Sequence, residues 1–332
     1  MRVGIAIQDT GAFFHEIRTE LAAHHQISSF TRRTVNTPFF YDRLNQRLYQ
    51  RDLRNFLSTN DVVFFEWASE LLADATQLPK TCGIVTRAHR YEIYHWADKV
   101  NWERVDKIIL VSQAKQKEFA ARFPGQAHKI VVIPEAVSLE RFKFKQRPYQ
   151  GNLGTMARLQ PRKRIYELIL AFYELIQEND GFHLHIGGSK RANFPEYFDI
   201  LHDLVRRLKI EYQVTFYGDV KEPQDWYDQI DVFISNSYSE GLQVSPMEAI
   251  ASGCYCLSHF WDGADELLPV ENLYYTDREL IQKILNFHTL CQEEKQRKQA
   301  DLLALVREKF DVDRTKVQIR QLVEEVGSRP GT

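Results

Sequence analysis

The sequence predicts an α/β protein of two parallel-sheet domains, and three observations predict it. Short apolar runs alternate with helical patterns along the whole chain, as where helices join the strands of parallel sheets. The 332 residues suffice for two domains with sizeable cores. The alternation also restarts after a charged, proline-bearing stretch at 142–150, which reads as a linker.

Strands are expected at Val3–Ile7, Ile27–Phe30, Val62–Phe65, Gly83–Arg87, Lys107–Val111 and Ile130–Ile133, with helices between them such as Asn45–Leu57 and Ala114–Phe123. The second half carries strands at Leu153–Met156, His183–Ile186, Val214–Tyr217, Val232–Ser235 and Tyr255–Ser258 and a helix around Tyr166–Gln177. Two long helical patterns close the chain, around Glu279–Lys309 and Arg314–Val326.

No apolar run is long enough to span a bilayer, and strand-like residues begin almost at once, so a cytoplasmic protein without a signal peptide is expected. Of the four cysteines, Cys254 and Cys256 share one face of a strand without metal or redox spacing and read as buried thiols. The net charge of −2 hides an asymmetry. Residues 1–150 hold 22 Lys+Arg against 16 Asp+Glu, a balance of +6, and the rest hold 21 against 29, a balance of −8. A basic first half suits an anionic partner. No phosphate-binding P-loop and no G-x-G-x-x-G occurs, which argues against kinases and nicotinamide enzymes. No nucleic-acid partner is expected.

The most informative stretch runs from Ser239 to Ala249, where Glu240 and Glu248 are separated by seven residues. The order is buried strand, glycine-containing turn with Glu240, then a helix opening near Glu248. A helix N-terminus presents unpaired N–H groups and partial positive charge to a phosphate, and a carboxylate beside it accepts from sugar hydroxyls. That combination suits a nucleotide-sugar.

This arrangement resembles the E-x7-E signature of retaining glycosyltransferases with the GT-B fold, of the family 4 type. Further matches follow in order: Ala157-Arg158-Leu159 with Lys163-Arg164, His183–Gly188, Val214–Gly218, Ala249-Ile250-Ala251-Ser252-Gly253, and Gly263-Ala264-Asp265-Glu266. The chain departs from the family pattern at Arg164, where glycine is usual, and at Asn236, where proline is usual. It has Gly11 alone where a Gly-Gly pair follows the first strand, and Pro134-Glu135-Ala136-Val137 for a P-N-G-V turn.

The resemblance implies two Rossmann-like domains with parallel sheets facing across a cleft. The expected division is an acceptor domain at 1–147, a donor domain at 148–310, and a helix at 311–332 crossing back onto the first domain. The implied activity is transfer of a sugar, with retention of configuration, from a UDP-, GDP- or other nucleoside-diphospho-sugar to a glycan, lipid-linked or small-molecule acceptor, with no metal or cofactor. A sugar-nucleotide epimerase, a phosphorylase and a non-catalytic binding subunit are the alternatives on the same scaffold.

Each site residue carries two readings. Glu248 forms a capping box with Ser245 at the N-cap and Pro246 at N1, while the resemblance gives it the donor ribose; its two oxygens can serve both. Glu240 is a solvated turn carboxylate or, by resemblance, the group that orients the donor sugar, with the amides of Gly241, Leu242 and Gln243 and the turn at Gly218 beside the donor. Arg158 and Lys163 are surface charges or, by resemblance, the cations on the diphosphate. His89 is a packed histidine or, by resemblance, faces the donor sugar as a catalytic group. Glu266 is a first-turn helix carboxylate or, by resemblance, lies near the sugar or diphosphate. Asp311-Val312-Asp313 reads as a helix start with Asp313 at the N-cap and not as a metal motif. Arg43, Arg47, Arg51 and Arg54 fall on one stripe of a helix, with Leu44, Leu48, Leu53, Phe56 and Leu57 spread over the rest. That stripe is a solvated face or a contact with anionic phosphate, from a lipid-linked acceptor or the inner face of a membrane.

Overall fold

The computed structural model describes residues 1–8, 14–36 and 41–328. Gly11 lies outside the described residues. The chain divides into two compact units, Met1–Pro134 with Asp313–Thr332, and Glu135–Val312.

The first unit contains β1 (Arg2–Ile7), α1 (His15–His24), β2 (Gln26–Ser29), α2 (Tyr41–Thr59), β3 (Val62–Glu66), α3 (Glu70–Gln77), β4 (Gly83–Ala88), α4 (Arg90–His95), β5 (Lys107–Leu110), α5 (Gln113–Arg122) and β6 (Ile130–Val132). The strands form a sheet in the order β2-β1-β3-β4-β5-β6, and every pairing is parallel. All five residues of β3 are buried, because helices cover both faces of the sheet. Val62 and Phe64 pack on one side with Ile17 and Leu21 of α1, and Val63 and Phe65 on the other with Leu53 and Leu57 of α2.

The second unit contains β7 (Asn152–Met156), α6 (Ile165–Glu178), β8 (His183–Gly187), α7 (Pro195–Leu208), β9 (Val214–Gly218), α8 (Pro223–Tyr227), β10 (Val232–Ser235), α9 (Val244–Ala251), β11 (Tyr255–His259), α10 (Ala264–Leu267), β12 (Leu273–Tyr274), α11 (Asp277–Thr289) and α12 (Gln292–Lys309). Its strands order as β12-β11-β10-β7-β8-β9, again all parallel. Two-residue alternation turns His183 and His185 of β8 toward Thr215 and Tyr217 of edge strand β9. His185 Nδ1 shares a hydrogen bond with the Tyr217 hydroxyl at 2.8 Å, and burial lowers the imidazole to about 4.

The last helix, α13 (Val312–Gly327), adds Ile319, Leu322, Val323 and Val326 to the first-unit cluster that holds Val3, Ile5 and Val85. The approach is close at Gly83, where a Cβ would meet the Val326 side chain at 2.5 Å.

Local expectations change in three places. Residues 135–150 belong to the second unit, although the sequence read as the end of the first domain and a linker. Phe142 is buried against Tyr227, and the Arg147 guanidinium donates to the carbonyls of Tyr227, Ile230 and Ser252 at 2.9–3.3 Å. The helical pattern expected over 279–309 breaks at Leu290 and Cys291, because Lys295 Nζ reaches back to the carbonyl of His288 at 2.8 Å and to that of Leu290, ending α11. Asp313 lies inside the first turn of α13 and is not its N-cap, since the helix starts at Val312.

Candidate functional site

In the second unit the site is built where β7 and β10 end. After β7 the chain passes Arg158, which is exposed, and makes a tight turn at Pro161–Lys163. Arg164 then takes a left-handed conformation, φ 50° and ψ 40°, and starts α6. Such a conformation favours glycine. Arg164 retains it with its guanidinium 3.2 Å from Asp277 and its carbonyl accepting from Asn236 Nδ2 at 2.8 Å.

After β10 the loop 236–243 carries Glu240 into contact with that turn. Three donors converge on one oxygen, Oε1: Arg162 Nη1 at 2.6 Å, Lys163 Nζ at 2.7 Å and Gln243 Nε2 at 3.0 Å. Oε2 has no partner among the described residues. Burial opposes ionisation of Glu240, but Lys163 and Arg162 outweigh it and hold the carboxyl down at about 2. Burial lowers the Lys163 ammonium, against the pull of Glu240 and with a smaller push from Arg158. A buried carboxylate is tolerated when it is paired and hydrogen-bonded.

Gln243 acts through its side chain. It accepts from Ser235 Oγ, donates to Ser237 Oγ at 3.2 Å and donates to Glu240. These bonds fix Gln243 as the N-cap of α9, so the helix begins at Val244, two residues earlier than a Ser245 cap requires. The capping box expected between Ser245 and Glu248 is therefore absent. The Glu248 carboxylate instead accepts, at Oε2, from the buried Tyr227 hydroxyl at 2.9 Å. Burial raises the Glu248 pKa, and the Tyr227 bond and the nearby Arg141 oppose it.

Gly241 and Leu242 are buried in the same loop. Gly218 closes β9 with φ 64°, and its carbonyl accepts from the Gly188 amide at 2.8 Å. Glu266 sits in the first turn of α10, after Gly263 with φ 102°. The structure thus brings Glu240, Lys163 and Gln243 into direct contact, with Arg158 close to Lys163. No hydrogen bond or ion pair joins this group to Glu248, Gly218 or Glu266 among the described residues.

In the first unit His89 is the N-cap of α4, where its side chain and Glu92 form a reciprocal capping box. Its Nε2 lies 3.3 Å from Glu66 Oε1. Glu66 is gripped by the Arg87 guanidinium, Nη2 to Oε1 at 2.7 Å, and both residues are 1% exposed. The Trp67 indole packs against the His89 ring, with centroids 4.2 Å apart. On α2 the arginines 43, 47, 51 and 54 are all exposed, and none forms an ion pair among the described residues. The buried side of that helix is not the expected row of leucines. Asn45 and Tyr49 join Leu53 and Leu57 there, because Asn45 bonds the Val35 amide at 2.7 Å and Tyr49 bonds Asp74 at 2.8 Å, while Leu44 is exposed.

Sequence reasoning missed Arg162, Tyr227, Glu66, Arg87 and Trp67. Arg162 was visible only as one charge in a basic run. The others come from distant segments and carry no local signal.

Among the described residues no group of three or more His, Cys, Asp or Glu side chains could hold a metal ion, and no helix is long and apolar enough to cross a membrane.

The whole chain matches solved structures that share this architecture. A glycosyltransferase from Rickettsia africae aligns with TM-score 0.77 at 14% identity, covering 99% of both chains. HepE from Anabaena, solved in complex with UDP, aligns with TM-score 0.77 at 19% identity, covering 98% of this chain and all of that one. Sucrose-phosphate synthase from Thermosynechococcus elongatus aligns with TM-score 0.78 at 15% identity, over 99% of this chain. The fold is the GT-B fold that these structures share. More particularly, residues 150–288, which carry the Glu240–Lys163 site, match the family Glycosyl transferases group 1. A curated relative, alpha-monoglucosyldiacylglycerol synthase from Streptococcus pneumoniae, is 26% identical over 191 residues, which span 49% of this chain and 42% of that protein. The chain thus matches less than half the length of that relative.

Proposed function

We propose that the chain is a retaining, metal-independent glycosyltransferase whose second unit binds a nucleoside-diphospho-sugar. The observation that carries the reading is the asymmetric tethering of Glu240. One oxygen is fixed by Arg162, Lys163 and Gln243, and the other has no partner among the described residues. A carboxylate held this way orients a sugar hydroxyl at Oε2, while adjacent cations stabilise the charge that develops on a departing diphosphate. Arg158 and Lys163 take the diphosphate, Glu248 takes a ribose hydroxyl, and the amides of Gly241 and Leu242 meet the sugar, with Gly218 and Glu266 bordering the donor. The catalytic candidate of the first unit is His89. HepE bound to UDP and to UDP-glucose supports a uridine donor.

The acceptor is a glycan or lipid-linked molecule. The name of the pneumococcal relative, and four exposed arginines on α2 without ion pairs among the described residues, beside exposed Tyr41 and Leu44, support an acceptor at an anionic membrane surface. Each basic residue near such a surface contributes about 1 kcal/mol. This reading makes the protein cytoplasmic and peripheral to the inner face of the membrane.

The test starts from a thermal-shift panel of nucleoside diphosphates and their sugars, followed by proton NMR of the product made from the best donor. The expected result is a product with the donor's anomeric configuration, formed equally well in EDTA. Epimerised donor, phosphate dependence, or nucleotide binding without turnover would replace transfer with one of the alternatives. Wild type should co-float with anionic but not neutral vesicles at low salt, and a variant with the four arginines changed to glutamine should not. Failure of wild type to float removes the membrane from the reading.

A further inference from the structure

The Glu240 carboxylate faces more positive charge than it needs. Arg162 and Lys163 touch it, and Arg158 stands close enough to act on Lys163. Gln243, its other partner, is neutral, and Arg164 turns away to Asp277. Three cations against one carboxylate leave an excess of two positive charges in the cluster.

The two cations that touch Glu240 are held differently. The Lys163 ammonium has Glu240 Oε1, at 2.7 Å, as its one bonded partner among the described residues. It is a compact charge on a flexible stem. Arg162 is tied to the glutamate loop at three successive residues. Its own carbonyl accepts from the Tyr238 amide at 3.4 Å, and its guanidinium reaches the Ser239 carbonyl and, at 2.6 Å, Glu240 Oε1. A guanidinium has several N–H donors in a fixed fork, so it serves a carbonyl and a carboxylate together.

A diphosphate carries more charge than a carboxylate and draws the ammonium toward itself. Glu240 is buried, and a buried carboxylate stripped of charged partners is costly. Arg162 removes that cost, because it keeps its hold on Oε1 when Lys163 turns to the phosphates. We propose that donor binding moves Lys163 from Glu240 to the diphosphate, and that Arg162 is the positioning residue that stays behind, keeping Glu240 charged and in place. This rests on the glycosyltransferase reading above and divides the work between two adjacent cations.

The experiment is calorimetric titration of the full chain with UDP or GDP, whichever wild type binds more tightly. It is run in two phosphate-free buffers of different ionisation enthalpy, between about pH 8 and pH 6. Arg162→Gln keeps a donor for the Ser239 carbonyl and removes the charge. Its affinity should fall roughly tenfold or more near pH 8. Relative to wild type it should recover as pH falls, since Glu240 takes up a proton when Lys163 leaves. The binding heat should report that proton as an added dependence on the buffer. Arg162→Lys should restore the wild-type proton count and most of the affinity. Lys163→Gln should weaken the nucleotide with no added proton, because Arg162 still faces Glu240. The free nucleoside, which has no phosphate to draw Lys163 away, should bind all four proteins alike. A residue that only braced the loop would change affinity without changing the proton count. The proposal is overturned if Arg162→Gln binds the nucleotide as wild type does, weakens it without proton uptake or loses the nucleoside too. It is overturned equally if Arg162→Lys brings no rescue or if Lys163→Gln takes up the proton instead. If wild type binds neither nucleotide, the donor reading itself falls, and this proposal with it.

Discussion

The side-chain amide of Asn236 donates to the carbonyl of Arg164 at 2.8 Å and so fastens the start of the glutamate loop to the end of the basic turn. The other end of that amide accepts from the buried Tyr274 hydroxyl at 2.7 Å. Asn236→Ala leaves the buried Tyr274 hydroxyl without this partner and removes one of two bonds to the Arg164 carbonyl, which still accepts from the Leu168 amide at 3.0 Å; the cost is about 1–3 kcal/mol. The expected outcome is a lower urea midpoint together with a lower kcat, as the loop carrying Glu240 loosens. Tyr274→Phe removes one of the two bonds and should cost less. Unchanged kcat in a folded Asn236→Ala protein would show that the loop needs no such fastening.

Glu240→Gln keeps the shape of the side chain and removes its charge. Lys163 and Arg162 are then left side by side, so the variant should lose both transfer activity and stability, the latter by about 3 kcal/mol as for a broken buried pair. The wild-type carboxyl titrates at about 2, below its ordinary value of 4.5. Its contribution to stability is therefore full above about pH 4.5 and disappears as pH falls toward 2. Urea unfolding at pH 7 and pH 3 measures this: the gap between wild type and Glu240→Gln should narrow at the lower pH. An active Glu240→Gln enzyme sinks the assignment of this residue.

Tyr227→Phe deletes the hydroxyl that Glu248 accepts at 2.9 Å. The stability cost should be about 0.5–1.5 kcal/mol. Nucleotide affinity should fall as well, because Glu248 loses the bond that fixes its rotamer. Calorimetric titration with the best nucleoside diphosphate checks it, and an unchanged Kd would mean that Glu248 does not contact the ligand.

His185 is lowered by burial to about 4, and His183 nearby adds to the effect. The unfolded chain takes up a proton near the ordinary histidine value of 6.5, whereas the folded one does so only near 4. Stability should thus fall as pH drops from about 6.5 to 4, by up to about 1.4 kcal/mol per pH unit, and level off below. His185→Gln should flatten that part of the melting-temperature profile. A profile of wild-type shape in the variant would assign the slope to another group.

Much of the fold was legible because period-two and period-3.6 patterns are local. The strands at Val62–Glu66 and Val232–Ser235 are apolar on both faces, which is how buried parallel strands must read. The register of α9 was not legible, because Ser245-Pro246-Met247-Glu248 is a sound capping box by itself and is overridden by the side-chain bonds that Gln243 accepts from Ser235 and donates to Ser237. The break at Leu290 was hidden for a similar reason: Lys295 looks like an exposed helix charge until its ammonium is seen on the carbonyls that end α11. In the site, Glu240 and Lys163 were legible through resemblance. Arg162 and Tyr227 were not, since their partners lie 78 and 21 residues away and no spacing rule connects them.

The placement of α13 has a consequence for the order in which the chain can fold as it is synthesised. The second unit is one continuous stretch, Glu135–Val312, and holds all its own strands once that stretch has left the ribosome. The first unit is made earlier yet waits longer. One face of its sheet, around Val3, Ile5 and Val85, is covered only in part, by Ile17 and Leu21 of α1, until Ile319, Val323 and Val326 emerge. For nearly two hundred residues of elongation the rest of that apolar face is open to solvent and to chaperones, so the unit translated first is the one that finishes folding last.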